Sequence, residues 1–287
     1  MLFNNYLFMK IIFDIGANKG QNLNYFLDKA DIVVAFEANS NLVEKIKSDY
    51  KLFIDNKKLI VENIAIIDDE NIKKIDFYIS KVDDVLSTLY PDDISKFYKQ
   101  EVRCEKASLL IKKYLKNYNI SEIEYIKIDI EGADKLVLDD LLKNNILGKN
   151  LSVECHEPEV LELLLNSPYK SFKFVEGGDM IVKNNIEVTT KNNNKKIINF
   201  DKHSSGPYAD DIPGDYYNKT SILPYFLNKG LGWKDIHCSL EGKKYYPKIK
   251  YVPQIHQQGF RYHFQNLLPS FIKMLRNRIN NILIHKL

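Results

Sequence analysis

Lys10-Ile11-Ile12-Phe13-Asp14-Ile15-Gly16-Ala17-Asn18-Lys19-Gly20 reads as a short apolar, β-branched run that ends in a glycine-bearing turn. A run of this kind, without polar alternation, is the pattern of a strand buried on both faces of a parallel sheet. A helix is predicted from about residue 20 to 29, with Leu23, Phe26 and Leu27 on one face. Ile32-Val33-Val34-Ala35-Phe36 repeats the strand pattern, and Asn39 or Ser40 is placed to cap a second helix.

Outward from this unit the alternation continues. Further strands are predicted over 59–66, 75–79, 125–130, 151–155, 172–175 and 180–182. Helices are predicted over 106–117, 135–144 and 158–165. Strands and helices in turn imply an α/β fold with a doubly wound, mostly parallel sheet.

The composition changes near residue 190. Lys191-Asn192-Asn193-Asn194-Lys195-Lys196 is a polar turn expected to join two antiparallel edge strands. Beyond it, residues 207–269 hold six of the nine prolines, and 208–262 hold eight of the 18 tyrosines. The expected organisation is a core over 1–190, an irregular Tyr/Pro-rich cap over 191–265 that binds the acceptor, and an amphipathic helix over 266–287. That helix is expected to pack on its own domain or on a second copy of the chain, rather than on a membrane.

Composition narrows the function. Lys+Arg 41 against Asp+Glu 38 leaves a net charge of +3 over 287 residues, far from the basic balance of a nucleic-acid binder. Three scattered cysteines form neither a disulfide framework nor a zinc cluster, which predicts a cytoplasmic setting.

The first glycine turn, Gly16 to Gly20, has the spacing G-x-x-x-G and not the dinucleotide G-x-G-x-x-G, which disfavours a nicotinamide-dependent oxidoreductase. Asp14 beside it would repel a pyrophosphate and attract an ammonium or sulfonium group. Glu37 ends the second strand, where a carboxylate typically accepts ribose hydroxyls. Adenosine with a zwitterionic tail satisfies both features, and S-adenosylmethionine is such a molecule. The competing interpretation is a structural turn followed by a solvated glutamate.

Tyr125-Ile126-Lys127-Ile128-Asp129-Ile130-Glu131-Gly132-Ala133-Asp134 puts three carboxylates at another strand-to-helix turn. Asp129 and Glu131 are expected to face the crevice near the sulfonium, with Asp134 capping the helix.

Three blocks, 12–20, Phe36-Glu37-Ala38-Asn39 and 126–134, are similar in order and separation to the FkbM family of S-adenosylmethionine-dependent methyltransferases. The likeness covers residues 10–183 and is most distinctive around Asp129. It implies a Rossmann-like class I methyltransferase sheet and O-methylation, often of sugars in secondary metabolites or bacterial surface glycans. By the same matching, Asp14, Gly16, Ala17, Asn18, Gly20, Gln21, Glu37, Ala38 and Asp129 fall at cofactor positions, with Asn63 and Ala65 on the adenine side. Ser40 departs from the proline common in the family, and nothing after residue 190 matches a family pattern.

The catalytic candidates are His156, Asp129 and Glu131. Ser152-Val153-Glu154-Cys155-His156 ends the next strand, and alternation turns Glu154 and His156 to one side. A histidine near neutrality suits removal of a hydroxyl proton, so His156 is the first choice for general base. Alternatively Asp129, Glu154 and His156 hold Mg²⁺ or Mn²⁺. The stretch 201–214, with His203, hydroxyls and acids, is a second place for a polyhydroxylated acceptor; His237, His256 and His263 are expected to be surface or cap residues.

The function this supports is O-methylation of a sugar or nucleotide-linked sugar. N-methylation of a small amine and non-catalytic binding of adenosine or a glycan are the alternatives. A nucleic-acid methyltransferase would carry an Asn/Asp-Pro-Pro-aromatic segment where this chain has Asp129-Ile130-Glu131-Gly132.

Overall fold

The structure, a computed structural model, describes residues 9–176, 185–200, 204–229 and 234–243. The predicted strand over 180–182, the terminal helix, His203, His256 and His263 lie outside the described residues.

The strands are β1 Ile11–Ile15, β2 Ile32–Glu37, β3 Leu59–Asn63, β4 Ala65–Ile67, β5 Lys74–Ser80, β6 Phe97–Lys106, β7 Ile123–Ile128, β8 Gly148–Glu154, β9 Ser171–Glu176, β10 Ile186–Thr189, β11 Lys195–Ile198 and β12 Lys234–Ser239. The helices are α1 Leu23–Lys29, α2 Ser40–Asp49, α3 Lys51–Asp55, α4 Ala107–Tyr118, α5 Asp134–Lys143, α6 Pro158–Asn166 and α7 Ile222–Lys229.

Seven strands form the central sheet in the order β3-β2-β1-β7-β8-β12-β9. The strands from β3 to β8 are parallel, and β12 runs antiparallel to both β8 and β9. This is a Rossmann-like α/β sheet with one reversed strand near its edge.

Every residue of β1 and β2 is buried, as the apolar runs Ile11-Ile12-Phe13 and Ile32-Val33-Val34-Ala35-Phe36 demand. Strand alternation divides the sheet's side chains between two layers. Phe13, Ile15, Phe36, Ile126 and Val153 pack with the inner faces of α4, α5 and α6. Ile12, Val33, Ala35 and Tyr125 pack on the other face with Leu23, Tyr25 and Phe26 of α1 and with Tyr208.

The sequence places one strand over 59–66, whereas the chain makes two. Asn63 Nδ2 donates to the carbonyls of Glu37 and Ala38, ending β3, and β4 crosses to a separate sheet of order β4-β6-β5. β6, whose alternate residues are exposed, carries no continuous apolar run, so apolar patterning overlooks it. Strands β10 and β11 pair antiparallel around the polar turn, as expected.

The larger correction concerns the cap. Within 191–265, Lys234–Ser239 is no irregular segment but a strand of the central sheet, with Ile236 fully buried against β8 and β9. The described tyrosines of that region serve packing. Tyr208 stacks on Tyr125 at 4.0 Å between ring centroids, Tyr216 is buried beneath Lys173, and Tyr217 packs against Tyr225 at 4.6 Å. His237, expected at the surface or in the cap, is buried in β12. Among the described residues, no helix is long and apolar enough to cross a membrane.

Candidate functional site

A cavity of about 460 Å³ opens at the carboxyl ends of β1, β2, β7 and β8, within the range of small-molecule sites. Gly16, Asn18 and Gln21 line it from the first turn, and Glu37 and Ala38 from the second. Ile64, Ala65, Ile66 and Phe77 supply an apolar wall from β4 and β5. Asp129, Glu131, Glu154 and His156 stand at its acidic end.

The first turn is shaped by backbone contact. Gly16 has φ +87°, and a Cβ there would lie 1.7 Å from the carbonyl oxygen of Asp129. Only glycine lets the β1 and β7 ends close this tightly. Gly20, at φ +79°, instead seats the turn on α2, where Tyr50 donates its hydroxyl to the Gly20 carbonyl.

Glu37 is buried, and both its carboxylate oxygens accept backbone N–H groups, from Asn18 at 2.8 Å and Asn39 at 2.7 Å. Burial pushes its pKa up to about 7 against the pull of those amides. Each oxygen keeps a second lone pair, so two further donors, such as a vicinal diol, can still be accepted.

Asp14 does not line the cavity. It is 1% exposed and sits 3.3 Å from the ammonium of Lys127. Lys127 also lies 3.1 Å from Asp129 and donates to the Gly16 carbonyl at 2.8 Å. The expectation that Asp14 attracts a cationic ligand is therefore corrected: it faces an internal cation 3.3 Å away, although neither of its oxygens accepts a hydrogen bond. Burial raises the Asp14 pKa and Lys127 opposes that rise. Lys127 escaped notice in the sequence, although one lysine inside the apolar run Ile126-Lys127-Ile128 was the available signal.

Ala17, Gly20 and Asn63 also stand off the cavity wall. Ala17 is buried in the layer with α1, Gly20 packs on α2, and Asn63 pins the strand end as described above.

At the acidic end, β7 stops at Ile128, two residues before its predicted limit, which leaves Asp129 and Glu131 in the following loop. Asp134 accepts the N–H groups of Ile130 and Gly132 at 3.0 and 3.1 Å, so it holds the loop as a cap. Glu131 has φ +51°, and its carbonyl accepts the Thr88 hydroxyl at 2.7 Å. Burial, then the neighbouring Glu154 and Asp129, push Glu131 up to about 8.

His156 Nε2 lies 2.9 Å from Glu154 Oε2. That contact raises the imidazole to about 9, so it carries a proton at neutral pH. The expectation of a near-neutral base is corrected accordingly. Glu131, Glu154 and His156 bring their ligand atoms within 4.8 Å of one another. Asp129 is absent from this trio, unlike in the expected set, because Lys127 and the Ser205 hydroxyl, 3.3 Å away, hold its carboxylate.

One lining contribution was not anticipated: Asp84, Leu86, Ser87 and Leu89 reach the cavity from the β5–β6 connection. From the 201–214 stretch, whose hydroxyls were expected near an acceptor, Ser205 donates to Asp129. The described acids of the 201–214 stretch are otherwise engaged: Asp211 accepts from Lys29 and Tyr25, and Asp210 from Tyr216 and Lys243.

With this geometry in place, the family model of the methyltransferase FkbM domain matches residues 14–181, more than half of the chain. The chain belongs to the FkbM methyltransferase family. A crystal structure of methyltransferase FkbM from Methylobacillus flagellatus KT is similar at 15% identity. It aligns over 58% of this chain and 40% of that one, with a TM-score of 0.39, so this chain spans less than half of that protein. None of the curated proteins matches. The FkbM match contains the glycine turn, Glu37 and the Asp129–Asp134 loop, and it ends before β12.

Proposed function

We propose that this chain is an S-adenosylmethionine-dependent O-methyltransferase whose acceptor is a small, sugar-bearing molecule. One observation carries the reading: a single cavity joins a buried strand-end carboxylate, Glu37, to a carboxylate–imidazole cluster at its other end. The residues fit the cofactor. Glu37 retains acceptor capacity for two hydroxyls, and Ile64, Ala65, Ile66 and Phe77 give an apolar bed for a base.

When bound, S-adenosylmethionine supplies a methyl group on a sulfonium, an electrophile. The chain's own work is to hold the acceptor oxygen in line with that methyl and to manage its proton. In transfer the acceptor oxygen would take the methyl, the C–S electron pair would stay on sulfur, and the hydroxyl proton would pass to a carboxylate at the acidic end or to water. In this reading Glu131, Glu154 and His156, which line the acidic end of the cavity, receive that hydroxyl. The near-balanced charge of the chain agrees with a small acceptor rather than a nucleic acid.

The test has two stages. Calorimetric titration with S-adenosylhomocysteine and with NAD reads the cofactor class; binding of NAD alone would overturn the proposal. A methyl-transfer screen over nucleotide sugars and surface-glycan fragments then reads the acceptor, and transfer to amines only would replace O-methylation with N-methylation.

A further inference from the structure

We propose that Glu131, Glu154 and His156 form a binding site for one divalent cation of the Mn²⁺/Mg²⁺ class at the acidic end of the cavity. The inference deepens the function proposed above, resting on it for the cation's role but not for its binding.

Three side chains from two adjacent strand ends converge with ligand atoms within 4.8 Å of one another. Around an octahedral ion with bonds of about 2.1 Å, neighbouring ligands stand about 3 Å apart, so a small closure of the trio suffices. Two carboxylates and one imidazole suit Mn²⁺, which accepts oxygen donors readily and tolerates nitrogen.

A second observation points the same way. The Glu154 side chain is only 4% exposed, and its Oε2 receives no hydrogen bond from any described residue outside the trio. A carboxylate taken out of water in this way calls for a compensating positive charge. The His156 imidazolium, 2.9 Å away, supplies one such charge, while Lys127 is engaged by Asp14, Asp129 and the Gly16 carbonyl. A dication that takes the place of the His156 proton would compensate both glutamates.

The site is also open on one side. His156 is 45% exposed, and all three residues line the cavity, so the remaining coordination positions face the space for an acceptor. A hydroxyl bound there becomes more acidic: its O–H bond breaks, the electron pair stays on oxygen and the proton passes to solvent water.

The experiment is a Mn²⁺ titration of chelator-stripped full-length protein, followed by the paramagnetic signal of free Mn²⁺, with Mg²⁺ as competitor. One Mn²⁺ per chain is expected, with affinity falling about tenfold or more in His156→Ala and in Glu131→Gln. His156→Ala alters a half-exposed side chain, and an unchanged circular dichroism spectrum and melting temperature would certify the fold. No Mn²⁺ uptake at millimolar concentration, or uptake indifferent to both substitutions, overturns the site. If the wild-type protein binds Mn²⁺ but not S-adenosylhomocysteine, the methyltransferase proposal falls and the metal site stands. If it binds S-adenosylhomocysteine alone, the metal site falls by itself.

Discussion

Gly16 and Asp129 meet backbone to backbone: a Cβ on Gly16 would stand 1.7 Å from the Asp129 carbonyl oxygen. The two residues belong to the turns after β1 and β7, so their contact sets the spacing of both turns. Gly16→Ala forces an overlap costing about 1–3 kcal/mol and a left-handed alanine costing about 1–2 kcal/mol more. Denaturant unfolding should show a loss of about 3 kcal/mol, with S-adenosylhomocysteine affinity reduced in the protein that remains folded. Wild-type stability in this variant would refute the close approach.

Lys127 joins three elements through Asp14, Asp129 and the Gly16 carbonyl. Removing the cation leaves Asp14 buried without a partner, which typically costs about 3–5 kcal/mol. Lys127→Met should therefore be severely destabilised, and adding Asp14→Asn should recover part of the loss. A double variant no better than the single one would dissolve the pairing.

Glu37 sets two opposite pH dependences. Its folded pKa of about 7 lies above the ordinary 4.5. The folded chain thus holds a proton that the unfolded chain releases, so this group's contribution to stability is full below 4.5 and is lost as pH rises through 7. Recognition of ribose hydroxyls needs the ionised carboxylate and strengthens over the same interval. S-adenosylhomocysteine affinity should fall about tenfold from pH 8 to pH 6, a dependence abolished in Glu37→Gln. That variant should bind at least about tenfold more weakly at pH 8. A flat pH profile in the wild-type protein would remove Glu37 from the cofactor.

His156 should separate binding from transfer. Because it lies at the acidic end, away from Glu37, His156→Ala is expected to leave S-adenosylhomocysteine affinity intact. Methyl transfer should fall about 10²-fold or more, whether the imidazole ligates a metal or, still protonated, holds Glu154 and the acceptor hydroxyl in place. Unchanged turnover with an established acceptor would exclude both roles.

Tyr208 tests the packing role of the described tyrosines beyond residue 190. It is 1% exposed and stacks on Tyr125. Tyr208→Ala should cost about 3–5 kcal/mol of stability, as loss of a large core ring does. The Michaelis constant for the acceptor should stay unchanged in the fraction that folds; an altered constant with normal stability would return Tyr208 to recognition.

Much of the molecule was readable because burial leaves a chemical mark. Ile11-Ile12-Phe13 and Ile32-Val33-Val34-Ala35-Phe36 are apolar throughout because both sheet faces are covered, and that pattern announces a parallel strand wherever it occurs. Glu37 and Glu131 were legible for the converse reason, as charges interrupting such runs at strand ends. What stayed hidden depended on partners distant in sequence. Nothing local to Asp14 reveals that Lys127 neutralises it. The exposed alternation of β6 matches neither a buried strand nor a helix. Lys234–Ser239 has its apolar residues covered by β8 and β9, yet its lysine, aspartate, histidine and serine give it the look of a loop.

That last strand bears on how the molecule comes into being. β12 fills the gap between β8 and β9, which do not pair with each other, so two rows of backbone hydrogen bonds await a segment made some 58 residues after β9 ends (234 − 176). During synthesis, β8 and β9 are finished long before their shared neighbour leaves the ribosome. Until then both present unpaired edges, the surfaces through which chains associate wrongly. A fragment cut at the end of the family match would stay in that condition permanently, and should aggregate where the longer chain does not.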